Sequence, residues 1–477
     1  MKRGFVFSLL STFSDEEAAA FDLFLQSPYY TKGSNQDKSR VLLKEIIRGL
    51  KESPEQNTLY ERVFPETPFV QGKLDKLMSE LSAYARQFLI VRQNERKVDS
   101  FDDAMDWAFI LRRRGLWARY AAGLEKAEKI LNDSPIESLD WYYDRFRLAY
   151  ERYDMASQEN KLKGDLQILP AMSSLDTYYL ACRVEMVNLL LLQQKVTRVE
   201  TPRSSRIPYF SLISEEALQE NVLLRVALKI NEQLIQDKPS AIVFHEIHAL
   251  IQCNENKIAP QVLQNFYAYL RNLCAFLIQM EDDSFLSVLH DIQKDNIAKG
   301  YILLDGKLSP SAYLSIAKTA IKVGNTGWAL SFVEDYKDLL FDEDEKEAYY
   351  RLNKAECLFS MGQFEEALDV LPAIFSDALY LTHCRRLELK LLYKLNSDLL
   401  SYKVDAYKMF LSRASKKLLS DMRREVEGNF INLLVQLINC PPGNKAKAAK
   451  IIQRIHEKRV VADKEWLMAQ AEDIMAY

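Results

Sequence analysis

Residues 360–371 read SMGQFEEALDVL, a spacing that implies two helices joined by a tight turn. Gly362 is followed by Phe364 and, five residues on, by Ala367, and Ala355 lies seven residues before the glycine. The same pattern stands 38 residues earlier, with Ala317, Gly324 and Ala329 in YLSIAKTAIKVGNTGWALSFV. A weaker third copy, LELKLLYKLNSDLLSYKVDAYKMFL, puts Asn396 where the glycine stood, 34 residues on. Alanines are expected where two antiparallel helices cross, because small side chains let the axes come close. Glycine or asparagine tolerates the left-handed conformation that ends the first helix. Phe364 is expected to cover the turn.

These residues resemble the tetratricopeptide repeat. Ala355, Leu358, Gly362, Phe364 and Ala367 fall on its small or bulky positions. Lys354 and Leu371 replace a leucine and a large aromatic, and the closing proline is missing. The resemblance covers 309–410. It extends more weakly over 101–300, where Ala108 and Gly115 keep the first interval but Tyr120 stands in place of the alanine. It implies a curved array of helical hairpins whose first helices line an extended surface that binds peptides or protein segments. On that surface it places Lys318, Lys322, Tyr349, Asn353 and Glu356 as exposed contacts. The lysines would meet a carboxylate and Asn353 a peptide backbone. FLQSPYY, LDTYYLACR, SFVEDYKDLL and KEWLM together resemble an uncharacterised group of helical-repeat proteins from Bacteroidetes-type bacteria. That resemblance implies the same fold and a cytoplasmic setting, and it carries no catalytic residue over.

Composition agrees with a helical chain. At 477 residues it is too long for one compact core. With 14 Gly and 14 Pro it is poor in the residues that tight hairpins need. A net charge of −4 gives no global reason to expect nucleic acid. The six cysteines, at 182, 253, 274, 357, 384 and 440, form no Cys-x-x-Cys pair and read as reduced, mostly buried thiols of a cytoplasmic protein. The start MKRGFVFSLL has a basic pair before an apolar run, but no small-residue cleavage signal precedes Asp15. Ser14 and Glu17 read instead as a capping box. The most apolar stretch, VEMVNLLLL, is interrupted by Glu185 and Asn188, short of a membrane span.

Three segments are expected: a helical unit over 1–100, a degenerate hairpin array over 101–300, and tetratricopeptide-like repeats with basic capping helices over 301–477. Helices are expected around 14–26, 36–50 and 71–95, the last with Leu74, Leu77, Met78, Leu81, Tyr84, Ala85 and Phe88 as its buried stripe. Two more are expected across 101–133, broken near Gly115. The segment 197–210, with two prolines, reads as a long surface loop.

Chemistry is sparse. His245 and His248 share a helix face, but two ligands do not make a zinc site. Ser315 and Lys318 form an S-x-x-K without its companion motifs. Asp102 and Asp103 read as helix caps. No phosphate-binding glycine loop is present. We therefore expect no catalytic residue, no metal and no cofactor. Residues 334–347, with eight acids and two lysines, read as a solvated acidic turn. Residues 401–460 carry 13 Lys and Arg against 5 Asp and Glu, densest in NKAKAAKIIQRIHEKR, 444–459. Either those last helices present a solvated face or they touch nucleic acid; no aromatics are interleaved as stacking platforms. The expected protein is all-α, an α-solenoid with an N-terminal helical unit, acting as a non-catalytic scaffold for a protein or peptide partner. The alternative is a nucleic-acid-associated regulator. No membrane partner is expected.

Overall fold

The computed structural model describes residues 5–31, 35–52, 56–65, 67–70, 72–95, 98–133, 136–158, 168–197, 215–280, 282–341, 344–373, 375–415 and 418–476. Among them the fold is all-α: 23 α-helices, no β-strand, and a few isolated bridges. No described helix is long and apolar enough to cross a membrane. The chain forms two compact units, Met1–Pro135 with Asp140–Leu175, and Ile136–Leu139 with Asp176–Tyr477. The boundaries expected at 100 and 300 each fall inside a unit. Most of the loop expected over 197–210 lies outside the described residues.

In the first unit, the helix Asp15–Gln26 starts at the expected capping box, with Glu17 N–H donating to Ser14 Oγ and Ser14 N–H to the Glu17 carboxylate. The helices Gln36–Glu52 and Lys73–Glu95 stand where periodicity put them. Leu74, Leu77, Leu81, Ala85 and Phe88 are buried, and Met78 and Tyr84 pack at the edge of the same core. The apolar N-terminal run forms the helix Phe5–Leu10, whose Val6, Phe7 and Leu10 join that core. The helix Gln56–Val63 was not foreseen.

Gly115, at φ 74°, separates the helices Phe101–Arg113 and Trp117–Asp133. Their close approach differs from the expected one. Tyr120 is fully buried and donates to Glu151 at 2.8 Å. The small residue facing Ala108 is Gly123, where an added Cβ would stand 3.0 Å from Ala108 Cβ. A glycine one turn further along does what an alanine at 120 would have done, which leaves 120 free for a tyrosine.

In the second unit, the expected turns are present. The helices Pro310–Lys322, Lys346–Ser360 and Ala378–Lys394 are each followed by a shorter or similar helix: Thr326–Tyr336, Phe364–Val370 and Leu399–Arg413. Gly324, Gly362 and Asn396 all have positive φ, 80°, 79° and 49°. After each one the next N–H reaches five residues back: Asn325 to Ala320, Gln363 to Leu358, Ser397 to Leu392. The N–H of Gly324, Gly362 and Asn396 itself reaches three residues back, to Ile321, Phe359 and Tyr393, and this double closure is a Schellman motif, which satisfies carbonyls that the helix end leaves orphaned. Ala317, Ala329, Ala355 and Ala367 are all fully buried in one core. Phe364 packs on Phe359 across the turn, ring centroids 5.5 Å apart.

Gly362→Val should therefore cost about 1–3 kcal/mol, the strain of a β-branched residue in the left-handed region. Asn396→Gly should be neutral or slightly stabilising. Urea denaturation of both variants checks this; equal losses would mean that the turn conformation is not what these residues supply.

The acidic turn is less solvated than expected. Glu334 accepts from Lys354 and Tyr350, and Glu345 accepts the Ser376 N–H at 2.7 Å. Cys274, Cys357, Cys384 and Cys440 are free and buried, Cys253 is free and exposed, and Cys182 is half-buried.

Candidate binding cavity

The second unit buries a charged network. Its members come from the helices Pro310–Lys322 (Lys318), Lys346–Ser360 (Glu356), Ala378–Lys394 (His383, Arg386, Lys390), Leu399–Arg413 (Tyr407) and Asp421–Ile438 (Glu427), and from the turn before Lys464–Ala476 (Asp463). Arg386 Nη1 donates to Glu427 at 2.5 Å and Arg386 Nε to Asp463 at 3.1 Å. Tyr407 donates its hydroxyl proton to the other Glu427 oxygen at 3.0 Å. Lys390 Nζ lies 3.8 Å from Asp463. Asp463 has φ 48°, a left-handed turn that aspartate tolerates.

His383 links this group to the first helix. Lys318 and Arg386 both donate to its Nδ1 at 3.2 Å. Neither can accept, so Nδ1 carries no proton, and Nε2–H donates to Glu356 at 2.5 Å. The ring is a neutral tautomer fixed by its neighbours. Burial holds its pKa below the usual histidine value, against the opposing pull of Glu356. Burial raises Glu356, but Lys318 and His383 more than offset it and leave the carboxyl well below its usual range. Burial likewise opposes ionisation of Asp463, yet Lys390 and Arg386 bring it down to about 2. Lys318, Arg386 and Lys390 thus face Glu356, Glu427 and Asp463, cation matched to carboxylate. A buried charge needs such pairing to be tolerable.

Above this network lies a cavity of about 500 Å³. Lys318, Lys322, Lys390 and Lys464 supply its cations, Phe359 and Trp466 its aromatic walls, and Glu356, Asp463 and Glu465 its carboxylates. It runs from an exposed rim to a buried floor. At the rim Lys322 pairs with Glu465 at 2.9 Å, their side chains 48% and 83% exposed. At the floor Lys390 and Glu356 are 8% and 10% exposed. Lys318, at 35%, stands between.

Three of the five contacts expected from sequence meet at this cavity: Lys318, Lys322 and Glu356. The expectation that all five are exposed is corrected. Asn353 is 1% exposed and donates to its own helix, at Tyr349 O, at 2.8 Å. Tyr349 is buried against Phe375 and Tyr380, ring centroids 5.4 and 4.7 Å away. Glu356 is buried too, and only borders the cavity floor. The error has one source: the helix Lys346–Ser360 is packed on several sides, so its polar residues do not mark a solvated face. Sequence reasoning missed His383, Arg386, Lys390, Glu427 and Asp463. The available signal was polar residues recurring inside apolar helices, which burial makes costly unless they are paired.

The other motifs lead elsewhere. His245 stacks on Phe285 and His248 lies near Phe244 and Tyr267. Among the described residues no three His, Cys, Asp or Glu side chains stand close enough to hold a metal ion. Ser315 is exposed and does not line the cavity with Lys318. Asp103 N–H caps onto Ser100 and Asp102 pairs with Arg147 at 2.8 Å. Arg112 bridges Glu151 and Asp154 at 2.9 and 2.5 Å. In the helix Lys445–Glu457, Ala448, Ile451 and Ile455 face the core, while Lys447 and Arg454 bond Asn439 and Gln436.

Fold and cavity together define an all-helical protein with a lysine-lined, aromatic-walled cavity in its second unit. No protein family, curated protein or solved structure matches the chain.

Three histidines, His383 of the network among them, make stability pH-dependent with a definite sign. His383, His290 and His248 all have folded pKa values pushed below the unfolded value by burial. Such a group favours the folded state fully above about pH 6.5, and that share is lost as pH falls toward the folded pKa. Thermal melts from pH 8 to 5 should show the melting temperature falling below about pH 6.5, more shallowly in His383→Gln. An unchanged profile in that variant would remove His383 from the account.

Proposed function

We propose that this protein is a non-catalytic scaffold that holds a segment of another protein at the lysine-lined cavity. The tetratricopeptide-like spacing of 309–410 supports a repeat array of the adaptor type, in a cytoplasmic setting. One observation carries the reading. Lys318, Lys322 and Lys390, from two different helices, reach one cavity with Phe359 and Trp466 on its walls. Ammonium groups beside aromatic surface suit an acidic peptide group with an apolar neighbour. A cavity of this size holds a few residues of a chain and not a folded domain.

The test is affinity capture from the cell that makes the protein, followed by direct binding of each captured partner in purified form. The Lys318→Glu, Lys322→Glu double variant should lose its partner by at least about tenfold in Kd, since charge-assisted contacts are replaced by repulsion. Equal binding by both proteins would move the interaction away from this cavity. Capture of nucleic acid alone, with a steep salt dependence, would favour the basic helices of 401–460 instead.

A further inference from the structure

In the first unit the helices Phe101–Arg113 and Trp117–Asp133 cross at Ala108 and Gly123. Gly123 follows Arg119 by four residues and Tyr120 by three, so those two side chains flank the crossing on opposite sides. Ala108 divides Trp107 from Arg112 in the same way. Arg112 and Tyr120 both bond Glu151, so their side faces the helix Leu139–Gln158. Trp107 and Arg119 stand on the other side. Ile110 and Arg114 follow Trp107 at three and seven residues and continue its strip to the Gly115 turn.

This side is open and positively charged. Trp107 is 56% exposed and Ile110 43%, and Arg113, Arg114 and Arg119 are exposed too. Arg112 is held by two carboxylates, but none of these three arginines pairs with one among the described residues. Asp103 accepts the Asp99 N–H at its own helix start, and Asp106 adds a single negative charge. Trp141, Trp328 and Trp466 each lie beneath a cation, at 4.8, 5.9 and 5.9 Å. Among the described residues no cation and no ring lies over Trp107. A partner for this side must bring repeated negative charge and a flat apolar face between the charges. A protein hot spot rings its indole with near-neutral contacts and not with three like charges. A bilayer would have to take in Asp106 with Trp107 and Ile110. A duplex hides its base faces. A single strand repeats a phosphate at every nucleotide and leaves its bases free to stack.

We propose that this side of the hairpin binds single-stranded nucleic acid, with a base stacked on Trp107 and phosphates against Arg113, Arg114 and Arg119. The helix rises about 10 Å from Trp107 to Arg114, the span of a few nucleotides. DNA and RNA bind alike, because indole and guanidinium address the base and the phosphate that both carry. The inference is independent of the scaffold reading and of the cavity in the second unit.

The experiment titrates the full chain into labelled oligonucleotides of about eight nucleotides, as DNA, as RNA and as a DNA duplex, following anisotropy and tryptophan fluorescence. The single strands should bind and quench the fluorescence, with log Kd rising by about 2 per decade of salt, as for three phosphates on a single strand. Trp107→Ala should weaken binding by at least about fivefold and remove most of the quench, while Trp107→Phe keeps part of the affinity. Arg113→Glu with Arg114→Glu should weaken binding and flatten the salt dependence. These positions are exposed, so the melting temperature should not move. Trp117→Phe, on the Tyr120 side, should leave binding unchanged. Duplex bound as tightly as single strand, or one sugar bound and the other not, would overturn the stacking account. Affinity lost in Lys445→Glu, Lys450→Glu and kept in Trp107→Ala would overturn it in favour of the basic C-terminal helix. Binding to phosphatidylserine vesicles with every oligonucleotide silent would overturn it in favour of a lipid surface. No binding of any probe would overturn the inference and leave the scaffold reading standing.

Discussion

Replacing Arg386 with alanine is expected to cost the second unit about 3–5 kcal/mol, because removing one member of a buried ion pair leaves the other charge uncompensated. Glu427 is fully buried and accepts from Arg386 and Tyr407. Without the guanidinium it keeps only Tyr407 and the longer contact to Arg423 Nε, at 3.5 Å. Asp463 loses its 3.1 Å donor and His383 one of two donors to Nδ1. The measurement is urea denaturation at pH 7.5, followed by the far-ultraviolet signal. The double variant Arg386→Met, Glu427→Leu removes both charges while keeping volume, and should recover most of the loss. If the single variant melts like the wild type, the network is peripheral to stability and the cavity floor is held by packing alone.

Phe430→Ala is expected to cost about 3–5 kcal/mol, the usual loss for a large aromatic removed from a packed interior. Phe430 is fully buried in the core that joins Leu389, Leu434, Leu467 and Ala471. Its ring centroid lies 6.4 Å from that of Trp466. The void would therefore open behind one wall of the cavity. Trp466 is also held by Tyr393, 5.5 Å away, so the wall should loosen without being lost. On the proposed scaffold reading, binding at the cavity should weaken in Phe430→Ala even where most of the protein remains folded. A stability loss under 1 kcal/mol would mean that neighbouring side chains close the gap.

These two residues differ in how far the sequence announces them. Phe430 sits in FINLLVQLI, an apolar run that any helical reading buries. Arg386 sits in HCRRLELKLL, and nothing in that string separates it from Arg385 beside it. The helix turns one of them onto Glu427 and Asp463, and Arg385 onto the ring of Phe410, 4.9 Å away. Adjacent residues on a helix point about 100° apart, so the outcome depends on what packs on each side.

The same divide runs through the candidate site. The spacing put Lys318, Lys322 and Glu356 on the helices that line the cavity, but it made Glu356 exposed where packing buries it. Asn353 and Tyr349 were misplaced by that same reasoning, since it assumes that one face of the helix stays open.

Local rules gave this chain its helices, its capping box at Ser14 and its left-handed closures at Gly324, Gly362 and Asn396. Each of those depends on residues within one turn of one another, so a linear string contains the whole interaction. The cavity is different. Its residues span 318 to 466, and its charge balance exists only once five helices and a turn have packed. Desolvation turns separate surface-type residues into a matched set, and desolvation is a property of the packed interior that no stretch of sequence possesses by itself.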